Sequence, residues 1–417
     1  MNISDQDKEI LRKLGRRIQT ISEDPVNQER IKRWTAVNDL KRVRPPVHIM
    51  KSETPWTEMD VNDELKLRCQ DDFFKGIENT LRRKIYVWDH MQADEVIEGI
   101  IDCPLAVTDT GFGITEDVDT VNTDPNNPVI SRHFNIQIKD EKDIKKIKKP
   151  EVTHDKKLSD RRYAMLQEIF DGIIPVRQTG IKLTSISQWD FVIRLTGIEE
   201  ILMDMYTRPD YVHVLLDTLT KAYLHRYDQY EKMGLLSLNN DSSRTGGGLN
   251  YTSCLPKPGL VHKPAVRKDM WGRTMAQIFS SVSPEMHSEF AIKYELMFLK
   301  DFGISYYGCC EPMHRKIGIL KQIPNLRKIS MSPWVDHAEG AAAIGMDYAY
   351  SLKPNPAIFA EDVWNPEKAR MDLRDALEKT KGCPVEVVMK DISTVKYEPQ
   401  RLWDWARIAV EEAGRVS

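Results

Sequence analysis

Between Tyr306 and His314 the chain reads Tyr-Tyr-Gly-Cys-Cys-Glu-Pro-Met-His, so two thiols, a carboxylate and an imidazole fall within the six residues 309–314. Cys, Glu and His all ligate zinc, which makes Cys309, Cys310, Glu311 and His314 a candidate metal set. Free cysteines are as often buried small hydrophobes, and no C-x-x-C spacing supports a metal here. On an extended segment alternate residues share a face, so Cys309 and Glu311 point one way and Cys310 the other. Pro312 suits the start of a helix.

Other polar residues close apolar runs in the same manner. Lys390-Asp391 follows Val385–Met389, Lys353 follows Tyr348–Ser351, and Asn239-Asn240-Asp241 ends Leu235–Asn239. Glu311, His314, Lys353 and Lys390 are candidate proton donors or cations, with Asp391 and Asp336 to orient them. Asn239, Asn240 and Asp241 are candidate substrate hydrogen-bonders, and Trp271, Trp334, Tyr306 and Tyr307 candidate walls for an aromatic substrate. Each has a plain alternative: a surface ion pair of little worth, a turn, or core aromatics. His287, inside an expected helix, reads as a packed histidine.

The elements that must position these residues alternate. Residues 3–45 carry helical apolar spacing, and Pro45-Pro46 stops them before a strand at Val47–Met50. A long helical region over 61–92 and a strand at Val96–Ile101 follow. Residues 104–140 break the rhythm and read as a small β insertion. From about 160, strands are expected at Gly172–Val176, Leu235–Asn239, Ala276–Phe279, Ile304–Cys309, Lys328–Met331, Tyr348–Ser351 and Val385–Met389, with helices between them. Alternation of this kind builds parallel sheets with right-handed crossovers. The expected fold is α/β: a (β/α)8 TIM barrel over 46–417 with an N-terminal helical extension over 1–45. In such barrels the carboxyl ends of the strands line the active site.

Composition bounds the function. With 417 residues, 41% hydrophobic, and 60 basic against 63 acidic side chains, the chain has core enough and no basic footprint for nucleic acid. KDIKKIKK at 142–149 reads as the solvated face of an amphipathic helix. There is no signal-type apolar run and none of transmembrane length, and six unpatterned cysteines suit a reducing compartment. The expectation is a soluble cytoplasmic protein with no membrane partner. Gly246-Gly247-Gly248 lacks the Lys-Ser/Thr of a phosphate loop.

Leu195-Thr-Gly-Ile-Glu-Glu-Ile-Leu through Arg208-Pro-Asp-Tyr-Val, then Gly234–Asp241, Val282–Phe290 and Tyr397–Leu402, resemble the uroporphyrinogen decarboxylase superfamily over most of residues 45–415. That superfamily is a (β/α)8 barrel holding porphyrinogen decarboxylases and corrinoid-dependent methyltransferases. Arg44-Pro-Pro46-Val47 matches the start of the decarboxylase signature, but Met50-Lys51-Ser52 stands where paired arginines would bind propionates. The resemblance therefore implies the methyltransferase branch. There a His-x-Cys and a C-terminal Cys hold zinc; the corresponding positions here look like Tyr307-Gly308-Cys309 and Lys390-Asp391. Either zinc is held by the 309–314 set or no thiolate-activating zinc is used, which suits an oxygen ether better than a thiol.

The first expectation is thus an O-demethylase methyltransferase component, moving a methyl group from a small methylated aromatic to the Co(I) of a separate corrinoid-binding protein. The alternative is a uroporphyrinogen decarboxylase-like lyase acting on a small carboxylate, and a third is a non-catalytic docking module. Self-association into a homodimer is left open.

Overall fold

Four-residue runs buried on both faces, such as Ile304–Tyr307 and Ala349–Leu352, need helices on each side. The computed structural model has this arrangement; it describes residues 3–121, 130–256 and 264–416. Nine parallel strands are numbered in chain order: β1 Val47–Ile49, β2 Ile101–Pro104, β3 Val176–Thr179, β4 Ser185–Ile186, β5 Trp271–Thr274, β6 Ile304–Tyr307, β7 Leu326–Met331, β8 Ala349–Leu352 and β9 Val385–Met389. Seven form one curled parallel sheet in the order β1-β9-β8-β7-β6-β5-β4, and β2 pairs with β3 as a separate parallel ribbon. Regular pairing does not close the ring. Beside β1 stands Asp94, whose N–H donates to Val47 O at 2.9 Å and whose carboxylate accepts from Val47 N at 2.8 Å.

Local chemistry explains the helix ends. Asp336 caps helix His337–Ile344 by accepting from Glu339 N at 2.9 Å. Asn365 caps helix Pro366–Thr380, and Pro209 opens helix Pro209–Lys232, where its missing N–H costs nothing. The helices Asp5–Ser22 and Val26–Asn38 occupy the N-terminal segment. The first packs on helices Asp72–His90 and Lys156–Phe170 around Leu11, Ile18, Phe74, Leu81 and Leu166, a core apart from the main one. A Cβ on Gly15 would meet the Phe170 ring at 2.7 Å, so this close approach needs glycine.

Four expected strands move. The 172–176 strand lies later, at Val176–Thr179, where it pairs with Ile101–Pro104. The 96–101 strand starts only at Ile101, because Ile97 N is taken by the Asn27 side chain at 2.9 Å. Residues 235–239 form no strand beyond one parallel bridge, Leu236 to Ile181. The expected 276–279 strand lies earlier, at Trp271–Thr274, and Ala276–Phe279 is a turn closed by Phe279 N to Ala276 O at 2.9 Å. Antiparallel pairs join Val107–Asp109 to Val152–His154 and Val118–Val121 to Ser131–Phe134, so β structure in the expected insertion reaches beyond residue 140. The lysine-rich segment is a single turn, Glu141–Ile144, with Ile144 and Ile147 buried. Among the described residues no helix is long and apolar enough to cross a membrane.

Candidate functional site

Strand alternation selects the residues that line the inside of the curled sheet. Trp271 and Arg273 of β5, Tyr306 of β6, Lys328 and Ser330 of β7, Ser351 of β8 and Glu386 of β9 fall on this face. Their registers link Arg273 to Tyr306 to Lys328, and Ser330 to Ser351 to Glu386. The face is polar although every one of these strands is buried. Glu386, 0% exposed, pairs with Lys328 and accepts from Ser351 Oγ. Lys353, one residue past β8, donates to Ser351 Oγ at 2.5 Å and stands 5.6 Å from the Tyr306 ring centre. Arg273 lies at the same distance from that ring and donates to Gly308 O at 3.4 Å. Among the described residues Arg273 Nε and Tyr306 Oη are buried with no hydrogen-bond partner. Buried polar atoms of this kind are rare unless they serve a ligand or water.

At the carboxyl ends of β6 and β9 the thiols meet a cation. Lys390 Nζ is 3.5 Å from both Cys309 Sγ and Cys310 Sγ, and the two sulfurs are 3.6 Å apart. Lys390 also pairs with Asp391, whose Oδ2 is 3.7 Å from Cys310 Sγ. The hydrogen bond from Cys310 lowers the Cys309 thiol to about 6 against burial, helped by Arg273 and Lys390, while Cys310 is pushed up by the same bond. The pair therefore holds one thiolate, centred on Cys309. Burial opposes the charge of Lys390, but both thiols and Asp391 outweigh it and its pKa rises. Burial lowers Lys353 to about 7 against the pull of Glu386. Asp391 sits at φ 57°, a left-handed conformation that Asp adopts more readily than most residues, and its N–H donates to Glu53 Oε2 at 3.0 Å.

The remaining expected site residues are placed elsewhere. Glu311 is fully buried beneath the turn, accepting from Cys309 N at 2.8 Å and Ala276 N at 3.3 Å; burial and the Cys309 thiolate raise it to about 7. His314 faces helix His337–Ile344, its Nε2 3.8 Å from Glu339. Among the described residues no three His, Cys, Asp or Glu side chains gather as a metal site, so Cys309, Cys310, Glu311 and His314 do not fit as a zinc ligand set and no step is drawn through zinc. Tyr307 points away from the lumen, donating to Glu295 at 2.8 Å and meeting His287 at 2.7 Å. Asn239 replaces strand pairing: its amide donates to Lys182 O, Thr184 Oγ1 and Trp271 O and accepts from Trp271 N. Asn240 clamps the chain at Thr252 and Leu255. Asp241 pairs with Lys182 at 2.5 Å and Arg177 at 3.3 Å. Trp271 is buried with its indole on Asn250 O at 2.9 Å, whereas Trp334, after β7, is 69% exposed.

Arg273, Ser351 and Glu386 were not among the residues singled out from the sequence. The available signal was a charge within a run of buried strand residues, as in Val385-Glu386-Val387, since an unpaired buried charge is too costly to be incidental. Gly246–Gly248 runs beside this face: Gly248 N donates to Glu386 Oε1 at 3.1 Å, and a Cβ on Gly247 would stand 2.2 Å from the same oxygen. These glycines serve close packing.

No protein-family model matches the chain, and no curated protein matches it. Among solved structures it is similar to a methyltransferase from Methanosarcina mazei, with a TM-score of 0.50 and 10% identity over 93% of this chain and 98% of that one. At that identity the likeness is one of fold.

Proposed function

We propose that this protein is the methyltransferase component of an O-demethylase, taking the methyl group of a small methylated aromatic, an aryl methyl ether, for the corrinoid of a partner protein. The observation that carries this reading is the convergence of Lys390 and Lys353 on the polar inner face, above the unpartnered Tyr306 Oη and Arg273 Nε. The fold shared with a solved methyltransferase supports it. The nine strands are read as an interrupted (β/α)8 barrel: β3 and β4, joined through 180–184, form one stave, and Asp94 bonds the free edge of β1.

A Co(I) corrinoid, when bound, supplies the nucleophile that accepts the methyl group. The chain must deal with the leaving oxygen, since a phenolate departs poorly unless it is protonated or polarised. Lys390 stays charged beside the thiolate and polarises that oxygen. Lys353, with a pKa near neutrality, donates a proton to it. Tyr306 and Arg273 hydrogen-bond the substrate's polar ring substituents. Trp334, exposed after β7 where the strands end, offers an apolar surface to a macrocycle presented by the partner. Glu311 holds the Cys309 turn and His314 stands aside, so neither is the acid.

Lys353→Met and Lys390→Met, assayed with a methoxylated aromatic and a Co(I) corrinoid protein, test the assignment. Each is expected to slow phenol release by about 10²-fold or more, with His314→Ala near wild type. Unchanged rates in both lysine variants would contradict it. Release of CO2 from a carboxylate, with no demethylation, would instead support a lyase.

A further inference from the structure

A cavity of 530 Å³ opens between helix Asp72–His90 and β2. Its volume falls within the range of about 300–1,000 Å³ common for small-molecule sites. Phe73, Ile77, Leu81, Ile101 and Pro104 give it apolar walls, and Lys51, Lys84 and Lys182 reach it as cations. None of the thiols, Lys390, Lys353 or Arg273 lines it, so it is separate from the polar face described above.

One of the three lysines has no direct partner. Lys51 pairs with Glu95, Lys182 with Asp241, and Asp102 of the lining with Arg177 at 2.5 Å. Asp72, at the rim, has a fully solvated carboxylate whose partner is Lys75 at 3.4 Å. Lys84 has no ion pair or hydrogen bond among the described residues. Burial pulls its pKa down, with nearby Lys51 acting in the same direction and Asp102, Glu98 and Glu95 opposing them. Lys84 lines the cavity without a direct partner, which leaves its ammonium free to meet an anion bound there.

We propose that this cavity binds a monocarboxylate with an aromatic or branched apolar body, its carboxylate on Lys84 and its body between Phe73, Ile77, Leu81 and Ile101. One ammonium without a direct partner suits one carboxylate. The apolar part of the lining, Phe73, Ile77, Leu81 and Ile101, favours an anion with an apolar body over a fully hydrated one such as phosphate. This inference does not depend on the methyl-transfer reading, and its readout is binding alone.

Titration calorimetry with benzoate, benzyl alcohol and inorganic phosphate tests it on the full chain. Two variants isolate the parts. Lys84→Met removes the charge and keeps the bulk. Gly76→Leu fills the cavity: Gly76 lines it, and a Cβ there meets nothing within 4 Å. Leucine also suits a helix better than glycine. Expected are saturable one-to-one binding of benzoate, and benzyl alcohol and phosphate each weaker by about tenfold or more, the loss of a charge-assisted contact or of apolar burial. Lys84→Met should bring benzoate to the level of benzyl alcohol, and Gly76→Leu should abolish binding with Tm unchanged or raised. The proposal is overturned if wild type shows no saturable benzoate binding, if phosphate binds as tightly, or if Lys84→Met binds benzoate like wild type; the last criterion decides alone should Gly76→Leu fail to fold.

Discussion

Two side chains at the strand ends carry protons in the range where an enzyme can use them. Cys309 is lowered to about 6 by its hydrogen bond with Cys310 and by Arg273 and Lys390, so the pair gives up its first proton below the usual thiol range. Iodoacetamide should therefore modify the 309–310 pair with a rate that rises through about pH 6 and then levels, while the exposed Cys254 provides the internal comparison. Peptide mapping against pH reads this, and a rate still climbing above pH 8 at Cys309 would contradict it. Lys353 sets a limb of the opposite sense. Its protonated form is the donor, so the rate falls as pH rises through about 7, where burial has placed its pKa. In Lys353→Met that alkaline limb should vanish, leaving a slow rate that is flat across the interval; a limb that persists assigns the titration to another group.

At the scale of the element, β6 shows how one strand divides its work. Tyr306 faces the lumen with an unpartnered hydroxyl, and Tyr307 faces the helices, bonded to Glu295 and His287. Removing each hydroxyl should separate the roles. Tyr307→Phe should cost about 1–3 kcal/mol of stability, because it strips a partner from buried groups, with transfer retained. Tyr306→Phe should leave stability within about 0.5 kcal/mol and raise KM. Denaturant titration beside a rate assay checks both. The same strand marks what could be read from sequence. The apolar runs placed β7, β8 and β9 within two residues, because strands buried on both faces have continuous hydrophobic patterns. The helices expected between those strands are there, among them His337–Ile344 and Pro366–Thr380. Which of two adjacent tyrosines faces the lumen was not, since both are buried and the register is set by partner strands. Lys353, Lys390 and Asp391 were legible as strand-end residues. Asn239 and Asn240, expected as substrate contacts, bond the chain itself, and an amide that replaces a strand's hydrogen bonds looks, in sequence, like one awaiting a ligand.

Across the whole molecule, the fold is held by a buried ion pair at its centre as well as by its cores. Lys328 and Glu386, 2% and 0% exposed, join β7 to β9 across β8, with Ser351 as a third member. Breaking a buried pair strands a charge and costs about 3–5 kcal/mol, so Lys328→Met should lower Tm sharply, and Lys328→Met combined with Glu386→Gln should recover part of the loss. Equal losses in the single and double variants would contradict the pairing. The second core, on helix Asp5–Ser22, explains why the N-terminal residues pack on the helices flanking β2 and β3. That side of the molecule also holds the cavity around Lys84, apart from the thiol cluster.

The most direct test of the central claim is a single-turnover experiment with the full chain, a Co(I) corrinoid protein and a methoxylated aromatic. One demethylated phenol is expected for each Co(I) consumed, with loss of Co(I) absorbance and phenol release at the same rate, and both slowed together in Lys390→Met. Corrinoid spectra unchanged for every ether supplied, with no phenol formed, would contradict it.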